Sequence, residues 1–205
     1  MRPLFLVLDG LDGTGKSTQC RLTADWLRGL GRAVTECVEP GSTSVGIELR
    51  TLLLGHRHDL GLRTEALLFM AARAELVERV IRPALAAGGT VVSDRYFLAN
   101  IVYQGHAGGL DVDELWRVER FATGGLDPDL TLVLDLPVPA ALGRRGRAAD
   151  RKEARDLDYQ ERVRAGFLAE AARRPDRIRV IDAARPVDEI QAAIRAEIDR
   201  FVPRA

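Results

Sequence analysis

The sequence is poor in cysteine, and the two cysteines that it has cannot cross-link the fold. Cys20 and Cys37 are its only cysteines among 205 residues, one in a helical pattern and the other in a strand pattern. Two thiols placed in this way exclude a disulfide framework and a four-ligand zinc site. We therefore expect a protein of the reducing cytoplasm.

The sequence also lacks an excess of charge and any long hydrophobic run. Its 30 Lys and Arg balance 30 Asp and Glu, so no global positive field could hold a nucleic-acid backbone, and we expect no nucleic-acid partner. The apolar residues 4–8 are too few for a signal-peptide core or a membrane span, and Asp9 ends them. With 46% hydrophobic and 29% charged residues, the chain should form one soluble globular domain without a membrane partner.

Apolar runs of strand length alternate with longer helical patterns, which is typical of parallel strands joined by crossover helices. The predicted strands are residues 4–9, 33–38, 90–94, 131–136 and 178–181. The predicted helices are residues 16–30, 64–87, 112–122, 158–173 and 187–201. The strands barely alternate in polarity, so both faces of the sheet should be covered. The sequence predicts an α/β fold, a three-layer sandwich with a five-stranded parallel sheet flanked by helices.

A glycine-rich segment lies between the first predicted strand and the first predicted helix. It consists of Gly10, Leu11, Asp12, Gly13, Thr14, Gly15, Lys16, Ser17 and Thr18. Its spacing matches the phosphate-binding P-loop, in which glycines let backbone N–H groups converge on phosphate oxygens at a helix N-terminus. Lys16 could then bridge the terminal phosphates and the Ser17 hydroxyl could ligate magnesium. The alternative is a glycine-rich turn that merely precedes a helix.

A P-loop does not say where the phosphoryl group goes, so two classes of function stay open. A phosphotransferase needs an acceptor pocket that faces the loop, whereas a nucleotide switch needs loops that respond to the γ-phosphate. Guanine-reading switches usually carry an Asn-Lys-x-Asp motif, and this sequence contains no Asn-Lys pair. An acceptor site would therefore discriminate between the two classes.

Candidate acceptor residues follow the third predicted strand. Asp94 ends that strand and Arg95 follows it, and Asn100, Tyr103 and Gln104 lie on the helix beyond. An acid that leaves a buried strand beside a P-loop can hold magnesium or its water, and an adjacent arginine can pair with phosphate oxygens. These residues favour the phosphotransferase class.

Several motifs in one order make the chain resemble the thymidylate kinase family, from about Leu4 to the last predicted helix. They are the P-loop, the Glu39-Pro40-Gly41 turn, the Leu-Leu-Phe-Met-Ala-Ala-Arg helix ending in Arg73, the Asp94-Arg95-Tyr96 motif with Tyr103-Gln104-Gly105, and Pro128-Asp129-Leu130-Thr131. The resemblance implies transfer of the γ-phosphoryl group of ATP to dTMP, giving dTDP and ADP, with Mg²⁺ as cofactor and a homodimer as assembly. The alternatives are a kinase for another pyrimidine nucleoside monophosphate and, from another class, a P-loop nucleotide switch or regulatory ATPase.

The resemblance also implies roles for individual residues. Catalysis would fall to Lys16, Asp12, Arg95, Arg147 and Arg151, and magnesium to Ser17 and Asp94. ATP would be bound by Gly10, Leu11, Asp12, Gly13, Thr14, Gly15, Lys16, Ser17, Thr18 and Arg145. dTMP would be bound by Asp12, Glu39, Pro40, Arg50, Phe69, Arg73, Arg95, Asn100, Tyr103 and Gln104.

Within that set, the resemblance gives Phe69 a stacking contact with thymine and Arg73 a hydrogen bond to its edge. Residues four apart share one helix face, so both can reach one ligand. For Phe69 the alternative is packing in the core. For Asn100 and Gln104, which would reach the base, the alternative is a pair of exposed polar residues on a helix.

The same resemblance implies which residues contact the sugar and the phosphate of the acceptor. Asp12 would contact the sugar 3′-hydroxyl, the ring of Tyr103 would lie against the C2′ edge, and Arg95 would bind the acceptor phosphate.

Residues 144–155 are dense in charge and poor in large apolar side chains, which indicates a surface helix or a mobile loop. Arg145, Arg147 and Arg151 fall where the family has its lid, here at about residues 143–156. Members of the family carry an arginine either inside the P-loop or in the lid. This P-loop has none between Gly10 and Gly15, so the resemblance implies that the lid supplies it. A solvated charged surface is the alternative.

The chain departs from the family pattern at three positions. Many members have Arg where Val38 stands, a second Gly at Ser42, and Ser at Ala99. A cation lost at Val38 would weaken dTMP binding or alter the choice of monophosphate. We assign no function to His56, His58 and His106, which fall in predicted loops, and we expect Trp26 and Trp116 to be packing residues.

Overall fold

The computed structural model describes residues 2–55, 59–144 and 157–201. Its strands are Leu4–Gly10 (β1), Val34–Val38 (β2), Thr90–Asp94 (β3), Leu130–Asp135 (β4) and Ile178–Asp182 (β5). They form one sheet in the order β2-β3-β1-β4-β5, and all of the neighbouring pairs are parallel. The predicted five-stranded parallel sheet is confirmed, and each predicted strand boundary lies within one residue of the observed one.

Helices connect these strands and cover the sheet. They are Lys16–Gly29 (α1), Ser44–Leu54 (α2), Leu62–Leu76 (α3), Arg82–Ala86 (α4), Phe97–Asn100 (α5), Val112–Ala122 (α6), Val138–Gly143 (α7), Leu157–Arg173 (α8) and Val187–Phe201 (α9). Two π-helical segments continue α3 and α5, at Val77–Ile81 and Ile101–His106. In the described part of the chain, no helix is both long enough and apolar enough to cross a bilayer.

The core surrounds the interior strands of the sheet. Every residue of β1 and of β3 is buried, because strands in the middle of a parallel sheet are covered by helices on both faces. Helices α1 and α9 pack together, as do α8 and the second π-helical segment. Phe5 of β1 contacts the ring of Tyr96 just beyond β3, with centroids 5.0 Å apart.

The helices differ from the prediction in several places. The predicted helix 64–87 begins at Leu62 and changes to π-helical geometry at Val77–Ile81. Helix α2 was not predicted, because Gly46 and the β-branched residues within it give weak helical propensity; its signal is the Thr43 hydroxyl, which accepts a hydrogen bond from the Gly46 N–H at 2.9 Å. Helix α7 is six residues long and carries a proline in its first turn, too short for a periodic pattern.

The sheet order brings three chain segments to one edge. Leu8 of β1 and Val38 of β2 are both in register with Asp94 of β3. The segments that leave the carboxyl ends of β1, β2 and β3 therefore emerge side by side, where ligands bind in open parallel sheets.

Candidate active site

The segment from Gly10 to Gly15 turns sharply between β1 and α1. Gly10, Gly13 and Gly15 have φ angles of 131°, 89° and 94°, a region that favours glycine. A Cβ on Gly10 would lie 2.5 Å from the Leu134 carbonyl oxygen, and one on Gly13 would lie 2.2 Å from that of Ala141. The close approach of backbone to backbone therefore requires glycine at both positions.

Lys16, the first residue of α1, is buried in this loop. Its Nζ atom donates to the carbonyl oxygens of Leu11 at 2.8 Å and Gly10 at 3.3 Å, and lies 3.5 Å from Asp12 Oδ1. Burial, together with the nearby Arg95 guanidinium, lowers the pKa of Lys16. Among the described residues no side chain caps the first turn of α1, so its N–H groups are available to an anion.

Ser17 and Asp94 meet at the carboxyl edge of the sheet. The Ser17 hydroxyl donates to Asp94 Oδ2 at 2.5 Å, which joins the start of α1 to the end of β3. These two oxygens fit Mg²⁺, a hard cation that binds one or two protein oxygens and completes its shell with phosphates and water. No larger cluster of metal-binding side chains occurs in the portion that the structure describes.

Arg95 lies between Asp9 of β1 and Asp12 of the P-loop. Its Nη1 atom is 2.9 Å from Asp9 Oδ1, and its Nη2 atom is 2.6 Å from Asp12 Oδ1. Its φ angle of 73° is rare outside glycine, and such strain persists where surrounding contacts hold it, often in functional sites. Burial raises the pKa of Asp9, and Arg95 opposes that rise.

A cavity opens beside this arginine. Its lining contains all ten residues predicted to bind dTMP, namely Asp12, Glu39, Pro40, Arg50, Phe69, Arg73, Arg95, Asn100, Tyr103 and Gln104. Leu54, Tyr96 and Ala99 complete it. Asp12 of the P-loop lines the cavity, as does Arg95, which contacts that loop through Asp12, so a ligand in the cavity would face a nucleotide bound at the loop.

Arg73 is the charged centre of the cavity wall. It is 1% exposed, its Nη2 atom lies 2.6 Å from Glu39 Oε1, and its Nη1 atom donates to Glu119 Oε1. The two carboxylates raise the pKa of Arg73. Burial raises the pKa of Glu39 to about 7, Arg73 opposes the rise, and the Glu119 carboxylate adds to it.

Asn100 and Gln104 are each 2% exposed, so the alternative that they are exposed polar residues is wrong. The Asn100 Nδ2 atom donates to Glu119 Oε1 at 2.7 Å, and the Gln104 Nε2 atom donates to Glu65 Oε1 at 2.7 Å. Surface polar residues would not need such partners, whereas buried amides do.

Phe69 and Tyr103 supply the cavity's aromatic surface. Phe69 lies on α3, partly buried, one turn before Arg73. The Tyr103 ring lies beneath the Arg95 guanidinium, 5.3 Å from ring centroid to Cζ, and Tyr103 packs edge-on against Phe167. An aromatic wall and a cationic rim suit a flat base joined to a phosphate.

Of the three positions that depart from the family pattern, Ala99 lines the cavity, whereas Val38 and Ser42 do not. Val38 ends β2, is 40% exposed and does not line the cavity. Ser42 accepts a hydrogen bond from the Val38 N–H at 2.9 Å and has a φ of 61°. Ala99 lines the cavity, where its small side chain leaves room. Arg50 donates to the Pro40 carbonyl oxygen at 2.9 Å, which ties α2 to the cavity rim.

Comparison with known proteins decides the family. A family model described as "Thymidylate kinase" matches residues 8–194. The chain is 48% identical to the thymidylate kinase of Leifsonia xyli, over 96% of this chain and 94% of that protein. It is 47% identical to that of Rhodopirellula baltica, over 94% of this chain and 78% of that one. The chain belongs to the thymidylate kinase family.

A solved structure agrees with this membership. The thymidylate kinase from Ehrlichia chaffeensis superposes with a TM-score of 0.80 at 26% identity, covering 97% of this chain and 99% of that one. The family and the fold predicted from the sequence are therefore both confirmed.

The remaining predictions for this thymidylate kinase family member concern the lid arginines, the histidines and the tryptophans. Arg145, Arg147 and Arg151 of the predicted lid, and His56 and His58, lie outside the described residues. His106 was predicted to lie in a loop, which is wrong, because it ends the second π-helical segment. There its ring pairs with the buried Glu170 at 2.8 Å. Trp116 packs against Phe97, and Trp26 packs against the main core, as predicted.

Sequence reasoning missed three acids that contact the site: Asp9, Glu65 and Glu119. Asp9 ends a buried strand directly before Gly10, the same signal that identified Asp94. Glu65 and Glu119 carry no local signal, because their partners lie 39 and 19 residues away in the chain, or 46 in the case of Arg73.

Proposed function

We propose that this chain transfers the γ-phosphoryl group of ATP to dTMP, giving dTDP and ADP. Membership in the thymidylate kinase family supports the reaction. The observation that carries it is the cavity lined by the predicted acceptor residues, among them Asp12 of the P-loop and Arg95, which contacts that loop. A nucleotide switch has no need of such an acceptor cavity.

On the donor side, the phosphate loop would hold ATP. The N–H groups of the loop and of the first turn of α1 would bind the phosphates. Lys16 would offset the charge that spreads over the transferred group. Its present acceptors are two backbone carbonyls, so it can turn to phosphate oxygens without leaving a buried carboxylate unpaired.

Magnesium fits beside these groups. Ser17 and Asp94 would hold Mg²⁺, which when bound neutralises charge on the β- and γ-phosphate oxygens. The hydrogen bond between their side chains at 2.5 Å keeps the two oxygens together at the site.

On the acceptor side, Arg95 would bind the dTMP phosphate. An oxygen of that phosphate attacks the γ-phosphorus, the bond to the bridging oxygen of ATP breaks, and ADP leaves. Arg95 would exchange its contact with Asp12 for the phosphate, which frees Asp12 for the sugar 3′-hydroxyl. Asp9 would keep the other end of the guanidinium fixed, since it is fully buried.

Three further proposals concern the whole protein. The chain is one P-loop kinase domain whose lid, at about residues 143–156, supplies Arg147 and Arg151 to the transition state and Arg145 to ATP.

The enzyme is cytoplasmic, which the free thiols of Cys20 and Cys37 support. It is also a homodimer, which is supported by three exposed apolar side chains on the touching helices α3 and α6. They are Leu67, Val118 and Phe121. Light scattering would count the copies.

The reaction is tested with the purified chain, ATP and Mg²⁺ against a panel of nucleoside monophosphates. We expect ADP release with dTMP to exceed that with every other acceptor. Faster turnover with another pyrimidine monophosphate would reassign the substrate. ATP hydrolysis that ignores every acceptor would indicate a switch or a regulatory ATPase.

A further inference from the structure

Two buried glutamates stand behind the cavity wall without lining it. Glu65 lies in the first turn of α3 and Glu119 lies on α6, and each is 1% exposed. Each accepts a hydrogen bond from a side-chain amide that does line the cavity: Glu65 from Gln104, and Glu119 from Asn100. The same arrangement, in which a buried glutamate accepts from an amide that lines the cavity, therefore occurs twice, on different helices.

These hydrogen bonds fix which way each amide faces. An ionised carboxyl group can only accept, so the NH₂ end of the amide must lie on its side. The Asn100 NH₂ group is held further by the Ala66 carbonyl oxygen at 3.4 Å. The carbonyl oxygens of both amides are consequently turned away from the glutamates.

Those two carbonyl oxygens lack hydrogen-bond donors in the part of the chain that the structure describes. Asn100 Oδ1 and Gln104 Oε1 are buried and have no hydrogen-bond partner among the described residues. Buried polar atoms without partners are costly, and a ligand often satisfies them. Arg73 Nε is likewise buried without a partner in the described chain, so these three cavity-lining residues together leave two acceptors and one donor unpaired.

The pyrimidine bases differ in the hydrogen-bond donors and acceptors that they present to such a wall. Thymine and uracil carry an N–H donor at N3 beside a carbonyl acceptor, whereas cytosine carries an acceptor at N3 beside an amino group. An amide held with its oxygen toward the ligand can accept from the imide N–H, but it opposes the lone pair of cytosine N3. An amide free to turn would serve either base.

We propose that Glu65 and Glu119 are positioning residues that select an imide base by locking the amides of Gln104 and Asn100 with their oxygens toward the acceptor. This inference rests on the proposed function, since it names the base that the same cavity takes. Glu119 also accepts from Arg73, so one carboxylate orients a donor and an acceptor of the wall together.

Competition with dTMP tests the inference. The probes are dUMP and dCMP, which differ only at the edge in question, and the readout is the ratio of their inhibition constants, Ki(dCMP)/Ki(dUMP). We expect the wild type to favour dUMP by roughly tenfold to a hundredfold, the usual effect of one unpaired buried polar group. A wild type that binds both equally would overturn the proposal without any substitution.

Glu65→Gln and Glu119→Gln keep the shape of the side chain but allow it to donate, so the amide partner can turn. We expect the ratio to fall by roughly tenfold in each, while the KM for ATP stays unchanged. Glu65→Asp and Glu119→Asp remain acceptors only, and folded Asp variants should keep the preference for dUMP. Thermal melting identifies the variants that fold.

Glu170→Gln is the matched control. Glu170 is also a fully buried glutamate with cationic partners, Arg173 and Arg174, but it does not contact the cavity amides. We expect it to lose stability and keep the ratio. An unchanged ratio in both folded Gln variants, or a collapse of the ratio in a folded Asp variant, would overturn the inference. Failure of the wild type to phosphorylate dTMP would instead refute the proposed reaction.

Discussion

Arg95 Nη2 lies 2.6 Å from Asp12 Oδ1, which links the arginine beyond β3 to the interior of the phosphate loop. The other end of the same guanidinium lies 2.9 Å from the fully buried Asp9. One planar side chain thus spans two carboxylates, a geometry that a lysine ammonium cannot reproduce.

Arg95→Lys keeps the charge and the strained backbone but removes the two-ended contact. We expect the KM for dTMP to rise roughly tenfold or more, because a single ammonium cannot hold Asp9 and the acceptor phosphate at once. Steady-state kinetics at saturating ATP measure it. The control is Arg79→Lys, whose exposed pair with Glu75 predicts no change. A normal KM in Arg95→Lys would contradict the proposed phosphate contact.

Lys16→Ala removes the buried cation of the phosphate loop. Turnover should fall roughly a hundredfold or more, because charge on the transferred group would lose its nearest donor. Asp12, which lies 3.5 Å from Lys16 Nζ, keeps its contact with Arg95 in this variant, so the melting temperature should change little. Turnover near the wild-type rate in a folded variant would refute the P-loop assignment.

Arg147→Ala and Arg151→Ala test the proposed lid. If these cations act only in the transition state, kcat should fall more than either KM rises. Full kinetics in both substrates separate the two effects. Negligible change in both variants would mean that this segment is solvated surface.

Tyr103→Ala tests the choice of sugar. The Tyr103 ring lines the cavity beside Arg95. If the C2′ edge of the acceptor sugar lies against this ring, as the family resemblance implies, an added 2′-hydroxyl would be crowded and left without a partner, at a cost of about 1 to 3 kcal/mol. We expect the preference for dTMP over ribothymidine monophosphate to be roughly tenfold to a hundredfold in the wild type and to shrink in the variant. A lower melting temperature with an unchanged preference would show that Tyr103 only packs against Phe167.

The two thiols should be inert in the folded protein. Burial raises the pKa of Cys37 to about 12 and the pKa of Cys20 well above its usual value, and the thiolate is the reactive form. We expect a thiol reagent to label neither cysteine until denaturant is added. Rapid labelling of the native protein would contradict their burial.

The sequence predicts those parts of the molecule whose signal is local. The strands were recognisable because buried parallel strands are short unbroken apolar runs, and the phosphate loop because its glycines are dictated by its own turn. The ten cavity residues came from motifs of a resembling family. Asp9, Glu65 and Glu119 could not be found in this way, since each acts on a partner that only the folded chain brings near. Helix α7 was too short to show a period.

The two helices that line the cavity each include a π-helical segment: Val77–Ile81 follows Arg73, and Ile101–His106 follows Asn100 and carries Tyr103 and Gln104. In such segments each backbone hydrogen bond encloses one residue more than in an α-helix, and they are frequent at functional sites. Losing a single residue from Ile101–His106 would restore regular geometry and turn Gln104 by about 100° relative to Asn100. The chain can therefore shorten its surface turns more safely than either of these helices, because here the count of residues, and not only their identity, sets the shape of the pocket.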